Sequence, residues 1–406
     1  MTTLLAALAL VAFGYLFLKA IPLWVYRYVD RARTHDPTIL PKSYEVPRYF
    51  SLNSAGEVDP SKRWPGWDGW YFFVIPDDRQ LPLKMVRASL MTGLYGLEGI
   101  DTYEKLPKGL SAFDVVEYLM LVPTEDHNGG RKTRANRFSQ FYLPKAATLR
   151  MKPDELDVVV SGQPEPNLKA RLHAKIQGTW PHYQFQFNNP EAGVRLDLTY
   201  QGENVLWWAD LPFFTYFAAL GKFTGTVTYA HGPDPDAVYT LEGSGGFEHG
   251  FARKPCNFDL FWHPVSWAQK LSPTLRPVRY HYELFLGDGP HQGGFMHVRA
   301  FGLNWRNHGG LFVNGSYREL RDVEVEYLSD PEPDLMPMKP GVPSVKFYRS
   351  WKIKADTVAG RLEYVAQRQW PPARIASNMM YYYFSYTGTY QGKPLSGRGY
   401  GEYLHI

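Results

Sequence analysis

From residue 156 onward the chain alternates polar with apolar or aromatic positions, the period of a half-buried β-strand. Such runs fall at residues 157–161, 170–177, 182–187, 194–200, 204–209 and 223–230. Turn formers separate them: Gly-Gln-Pro, Asn-Asn-Pro, Gln-Gly-Glu-Asn and Gly-Pro-Asp-Pro-Asp. The second half repeats the habit at 280–286, 293–302, 310–317, 323–327, 345–353, 361–369, 380–390 and 397–404, with a proline-rich break at 330–334. Upstream, the run from Trp64 to Ile75 ends in a strongly β-prone stretch. Residues 84–97 and 111–121 fit either helical turns or short strands. More than ten short strands exceed a single small barrel, so the pattern predicts an all-β chain of two antiparallel barrel or sandwich domains. Lys254-Pro255 and Ser272-Pro273 punctuate the expected boundary. The predicted division is a first β domain at 64–260 and a second at 261–406.

The start of the chain breaks this pattern. Residues 4–26 are apolar apart from Lys19, and no acid precedes Asp30. About 20 helical residues at ~1.5 Å each cross a ~30 Å hydrocarbon layer. Trp24, Tyr26 and Tyr28 supply an interfacial aromatic belt, and Arg27, Arg31 and Arg33 follow it. A retained N-terminal hydrophobic helix over residues 1–33 is therefore expected, with residues 34–63 as linker. A basic n-region and a small-x-small cleavage site, the marks of a signal peptide, are missing. The positive-inside rule places the folded part in the cytoplasm, on the inner face of the cytoplasmic membrane.

Composition supports that placement. The single cysteine, Cys256, cannot form an internal disulfide. A net charge of +4 over 406 residues is too small and diffuse for nucleic acid, and the basic cluster at 131–137 reads as a solvated loop or lipid-headgroup contact. Twelve Trp, 28 Tyr and 24 Phe make up 16% of the chain. Tyr and Trp combine large apolar area with one polar tip, which suits the wall of a cavity for a mostly apolar ligand. Most of these aromatics are nonetheless expected simply to pack the cores.

The candidate chemistry centres on Gly243-Ser244-Gly245-Gly246-Phe247-Glu248-His249-Gly250-Phe251. It follows a strand-like run and reads as a strand entering a glycine-rich bend. Glu248 and His249 are an acid and an imidazole between two aromatics, and desolvation there would raise the carboxyl toward neutrality and make it a proton donor. The competing reading is a capped turn in which both side chains satisfy backbone groups. His263, in Phe261-Trp262-His263-Pro264, and His281, in Tyr280-His281-Tyr282-Glu283, keep aromatic company, as structural histidines also do. Metal-ligand spacings, a Walker loop, a dinucleotide-binding glycine motif and a serine nucleophile elbow are all missing from the sequence. Neither a metal nor a cofactor is expected.

A strand leading through glycines into acid-His-x-aromatic, about 180 residues after a Trp-rich opening strand, resembles the tandem-lipocalin superfamily. That group includes carotenoid 1,2-hydratases, AttH-like proteins, decalin-forming cyclases and a ceramide-transfer branch. Its Asp-His-x-Trp-Gly motif would align on Glu248-His249-Gly250-Phe251, and its terminal glycine-Tyr-x-Glu strand is similar to Gly399-Tyr400-Gly401-Glu402. Glu248 stands where the family has Asp, and Phe251 where it has Trp, removing an indole N–H. The resemblance implies two lipocalin-like domains. It places Glu248 and His249 at a pocket near the domain boundary and Tyr280 and Tyr282 at the second acid–base position.

The expected catalytic residues are thus Glu248, His249 and Tyr282. Trp70, Phe247, Phe251, Trp262, His263, Tyr280 and Glu402 would line the substrate. Glu402 is the least anchored of these, because Tyr400 and Leu404 share its face. The expected function is a membrane-associated enzyme that hydrates, cyclises or isomerises an isoprenoid- or lipid-like substrate by acid–base chemistry. The alternatives are a non-catalytic carrier of the same kind of ligand and a structural membrane-attached β protein.

Overall fold

The computed structural model describes residues 12–14, 66–92, 114–125, 131–142, 147–152, 155–162, 172–189, 193–211, 214–229, 237–253, 278–300, 303–332, 347–369, 373–374 and 379–405. Apart from the helical residues 12–14, these form strands and the turns between them. The anchor helix expected over 1–33 otherwise lies outside the described residues, as does the linker 34–63. Among the described residues no helix is long and apolar enough to cross a membrane.

The first sheet contains β1 (Gly66–Pro76), β2 (Met85–Thr92), β3 (Asp114–Glu125), β4 (Arg131–Tyr142), β5 (Ala147–Lys152) and β6 (Glu155–Gly162). It continues with β7 (Leu172–Thr179), β8 (His182–Asn189), β9 (Val194–Leu211), β10 (Phe214–Tyr229) and β11 (Val238–Arg253). These eleven strands pair in the order β4-β3-β2-β1-β11-β10-β9-β8-β7-β6-β5. The edge strands β4 and β5 are only four residues apart in sequence, a link of at most roughly 18 Å, so the sheet curls back on itself as a half-barrel.

The second sheet contains β12 (Val278–Gly287), β13 (His291–Ala300), β14 (Leu303–Val313), β15 (Ser316–Tyr327), β18 (Ser350–Thr357), β19 (Gly360–Arg368), β21 (Met379–Tyr390) and β22 (Lys393–His405). Pairing of β19 with β21 closes these into an eight-stranded antiparallel barrel. The short β20 (Ala373–Arg374) pairs with β21, and β16 (Pro331–Glu332) pairs with β17 (Phe347–Tyr348).

Three apolar clusters follow from this arrangement. One fills the half-barrel, with Trp70, Phe72, Phe185, Tyr200 and Phe247. A second fills the closed barrel, with Trp351, Tyr364, Tyr382 and Tyr403. The third lies between the two sheets and includes Phe73, Ile75, Leu220, Tyr282, Leu284 and Tyr400. Strands that border two clusters are apolar on both faces, as in the Trp-Tyr-Phe-Phe-Val-Ile run of β1. β18 and β19 face solvent on one side, and their burial alternates residue by residue. At the rim of the contact Arg79 pairs with Asp288, and Arg398 donates to the Pro76 carbonyl at 2.8 Å.

One expectation is corrected here, and an open alternative is decided. The glycine-rich stretch before Glu248 is no bend, since it runs straight through β11 and pairs with β1 and β10 on both sides. Its glycines answer to close approach: a Cβ on Gly246 would sit 2.5 Å from Phe73 Cε1 and 3.2 Å from Leu284 Cδ1, across the contact between the sheets. Residues 84–97, open between turn and strand in sequence, contribute β2, which alternates Val86, Ala88 and Leu90 inward with Arg87 and Ser89 on the other face.

Candidate functional site

Side chains alternate across a strand, so adjacent Glu248 and His249 point to opposite faces of the first sheet. Glu248 faces the second barrel, 6% exposed. It accepts a hydrogen bond from Tyr216 Oη at 2.7 Å on one carboxyl oxygen and a short one from Tyr282 Oη on the other. Tyr216 comes from β10 and Tyr282 from β12, and their hydroxyls are 3.3 Å apart. The two sheets therefore meet on one carboxyl group.

A second acid stands beside it. Glu402 on β22 is the cross-strand partner of Tyr282. Tyr400 Oη donates to Glu402, and Tyr280 Oη donates to it at 3.3 Å. Arg87 of β2, 2% exposed, supplies the balancing cation. Its Nε donates to Tyr400 Oη at 2.8 Å, one Nη donates to Tyr381 Oη at 3.0 Å, and the same nitrogen lies 3.8 Å from Glu402. The guanidinium sits 4.0 Å from the Tyr381 ring centroid.

The electrostatics follow from two acids and one cation out of water. Burial first, then the neighbouring Glu402, push the Glu248 carboxyl up from 4.5 to about 7, against the opposing pull of Tyr282, Tyr216 and Arg87. Burial also raises Glu402, opposed by Arg87, Tyr400 and Tyr280. Tyr216, Tyr280 and Tyr282 are pushed well above the usual phenol value, mainly by burial, so they stay neutral hydrogen-bond donors. At neutral pH the site holds a carboxyl group near its midpoint, able to give up a proton or take one back.

The chain is similar to CghA, solved as "Crystal structure of CghA with Sch210972". The match has a TM-score of 0.52 at 11% identity and covers 92% of this chain and 97% of CghA. The two share a fold. It is also similar, with a TM-score of 0.44 and 11% identity, to the crystal structure of kievitone hydratase from Nectria haematococca, over 88% of this chain and 96% of that one. No family model matches the sequence, and no curated protein matches it.

Of the residues expected at the site, the structure gathers Glu248, Tyr282, Tyr280 and Glu402. His249 and Trp70 are elsewhere. They stack on each other inside the half-barrel with ring centroids 4.9 Å apart, and Phe217 lies edge-on to the imidazole. Phe247 points the same way, into the half-barrel cluster. The expectation that Glu248 and His249 share one pocket is thus corrected by strand alternation. Phe251 belongs to β11, but its side chain lies outside the described residues, as do Trp262 and His263 entirely. Tyr216, Arg87, Tyr381 and Tyr400 were not among the expected site residues. For Arg87 a signal existed in the sequence, because an arginine inside Met-Val-Arg-Ala-Ser-Leu is a charge in an otherwise apolar run. Nothing marks Tyr216, one of many tyrosines, before strand pairing is known.

Proposed function

We propose that this chain binds a mostly apolar small molecule where the two sheets meet and acts on it by acid–base chemistry, with Glu248 as proton donor. The observation that carries the reading is a buried carboxyl group raised to about 7 beneath two tyrosine hydroxyls from different sheets. Protonation of a C=C bond by Glu248 moves the π electrons onto the proton and leaves a carbocation and a carboxylate. The faces of Tyr280 and Tyr282 offer π electron density to that cation. Water addition followed by proton return to Glu248 gives hydration, whereas loss of a neighbouring proton to Glu248 gives isomerisation. Attack by a second C=C before proton loss gives cyclisation. Each course regenerates the acid. CghA was solved with Sch210972, which supports a fold that can take a small-molecule ligand. An isoprenoid- or lipid-like substrate is the class that suits the aromatic content.

The reading extends to residues 1–33 as a membrane anchor with the folded part on the cytoplasmic side, supported by the apolar run and its Trp/Tyr/Arg flank. Deleting residues 1–33 should move the protein to the soluble fraction; a folded truncation that still pellets with membranes argues against the anchor.

Mass spectrometry of small molecules extracted from the purified protein tests the substrate class, and Glu248→Gln tests the acid. The enzyme reading expects the variant to retain the ligand and lose its conversion. Retained ligand with no conversion by the wild type favours a carrier.

A further inference from the structure

The closed barrel contains a second buried carboxyl group, on the reverse of the strand that presents Tyr282. Glu283 and His281, both 0% exposed, point into the barrel between the outward-facing Tyr280, Tyr282 and Leu284. Glu283 Oε1 accepts from Trp351 Nε1 at 2.5 Å and from Tyr382 Oη at 3.2 Å, and lies 2.7 Å from His281 Nε2. Its other oxygen accepts from Tyr364 Oη at 2.6 Å. His281 Nδ1 lies 3.1 Å from Tyr327 Oη.

This network crosses the barrel. Trp351 on β18 and Tyr364 on β19 tie the far side to β12, Tyr382 joins the same carboxyl from β21, and β12 and β21 carry Tyr280, Tyr282 and Tyr381 on their outer faces. An apolar set of similar volume would hold the barrel at least as well, because burying charged or polar groups is costly even when they are paired. The best-attested return on such a cost is register. A slip of β12 by one residue would turn Tyr282 into the barrel and Glu283 toward Glu248.

We infer that the Glu283–His281 network is a positioning device that fixes β12 in register and depth so that the Tyr282 hydroxyl stays on Glu248. It rests on the proposed proton-donor site and adds residues that touch neither the acid nor its substrate. Its consequence is specific. Loosening the network inside the barrel should weaken the Tyr282 hydrogen bond outside it and let the Glu248 carboxyl rise.

Infrared difference titration tests this on the full chain, reading the protonated-carboxyl band that Glu248→Gln removes. The groups facing Glu248 are Arg87 on β2, Tyr216 on β10, Tyr280 and Tyr282 on β12 and Glu402 on β22, and the key variant replaces none of them. Tyr282→Phe calibrates the readout and should raise the Glu248 midpoint by about one pH unit, the scale of one hydrogen bond to a charged group. Glu283→Gln, measured below its own unfolding temperature, should raise the midpoint in the same direction with Tyr282 intact. An unchanged or lowered midpoint in folded Glu283→Gln overturns the positioning role and leaves the network a staple of the barrel. If that variant does not fold, Tyr364→Phe removes a single donor and decides the same question by a smaller rise or none. If Tyr282→Phe itself leaves the midpoint unmoved, the proton-donor site is wrong and the positioning role falls with it.

Discussion

Glu248 and Glu283 are both buried among tyrosines, yet the chain treats them differently. Glu283 has Trp351, Tyr364, Tyr382 and His281 around its two oxygens. Glu248 has two tyrosine hydroxyls, and the next carboxyl group, Glu402, shares its surroundings. The difference lies in partners. A carboxyl ringed by donors is a fixture, whereas one with few donors and an acidic neighbour is held where a proton can leave or return near neutral pH. Burial alone therefore does not single out a candidate catalytic acid.

The largest expected effect comes from breaking the fixture. Glu283→Ala strips the shared acceptor from Trp351, Tyr364, Tyr382 and His281 and leaves buried donors unsatisfied. The expected loss is ~3–5 kcal/mol of unfolding free energy, read from denaturant midpoints. A loss below ~1 kcal/mol would mean that the network is not a stabilising unit and would erase the contrast with Glu248.

Next is the pH dependence of stability. Glu248 rises from 4.5 to about 7 on folding, so between these values the native state binds more protons than the unfolded one. Stability from this group is greatest below about 4.5 and falls as pH rises through about 7, by roughly 3 kcal/mol in all. Glu248→Gln should flatten that slope in urea titrations from pH 5 to 8. A wild-type slope that survives the substitution would assign the titration to another group, Glu402 first.

A smaller effect is expected at Arg87. Its guanidinium opposes the rise of both carboxyl groups, so Arg87→Met should lift the Glu248 midpoint above about 7, by up to about one pH unit. No shift would mean that Arg87 serves only to pack Tyr381 and Tyr400.

How much of this was legible in the sequence depends on which face of a strand is asked about. Strand identity was readable from periodicity and turn residues, and β18 and β19 display it cleanly because one face meets water. Where both faces are buried, as in β1, β12 and β21, alternation vanishes and facing cannot be read. Glu248 stood out as an acid among aromatics, whereas Tyr282 and Glu402 entered only through the family resemblance. The glycines before Glu248 suggested a bend because their role, clearance for Phe73 and Leu284, depends on a neighbouring strand and an opposing sheet. Arg87 reaches the site because β2 pairs with β1 and β1 in turn pairs with β11, more than 100 residues away, and Tyr216 because β10 pairs with β11, relations that no local pattern encodes. His249 was misplaced by adjacency: neighbours in a sequence are near each other in a turn but on opposite sides of a strand.

That misplacement supplies the smallest and sharpest prediction. His249 stacks on Trp70 inside the half-barrel, separated from Glu248 by the thickness of its own sheet. Hydrogen-bond exchange between the two side chains is thereby ruled out in this arrangement, and the polar partners of Glu248 come from Tyr216 and Tyr282 instead. His249→Gln should cost about 0.5–1.5 kcal/mol, the worth of an aromatic pair, and leave the Glu248 midpoint where it was. The stability loss and the unchanged midpoint together distinguish a packing histidine from a catalytic one. If His249→Gln instead moved the Glu248 midpoint as far as Arg87→Met does, the imidazole would have to share the acid's face, and β11 would have to be bent near residue 248 as its glycines first suggested.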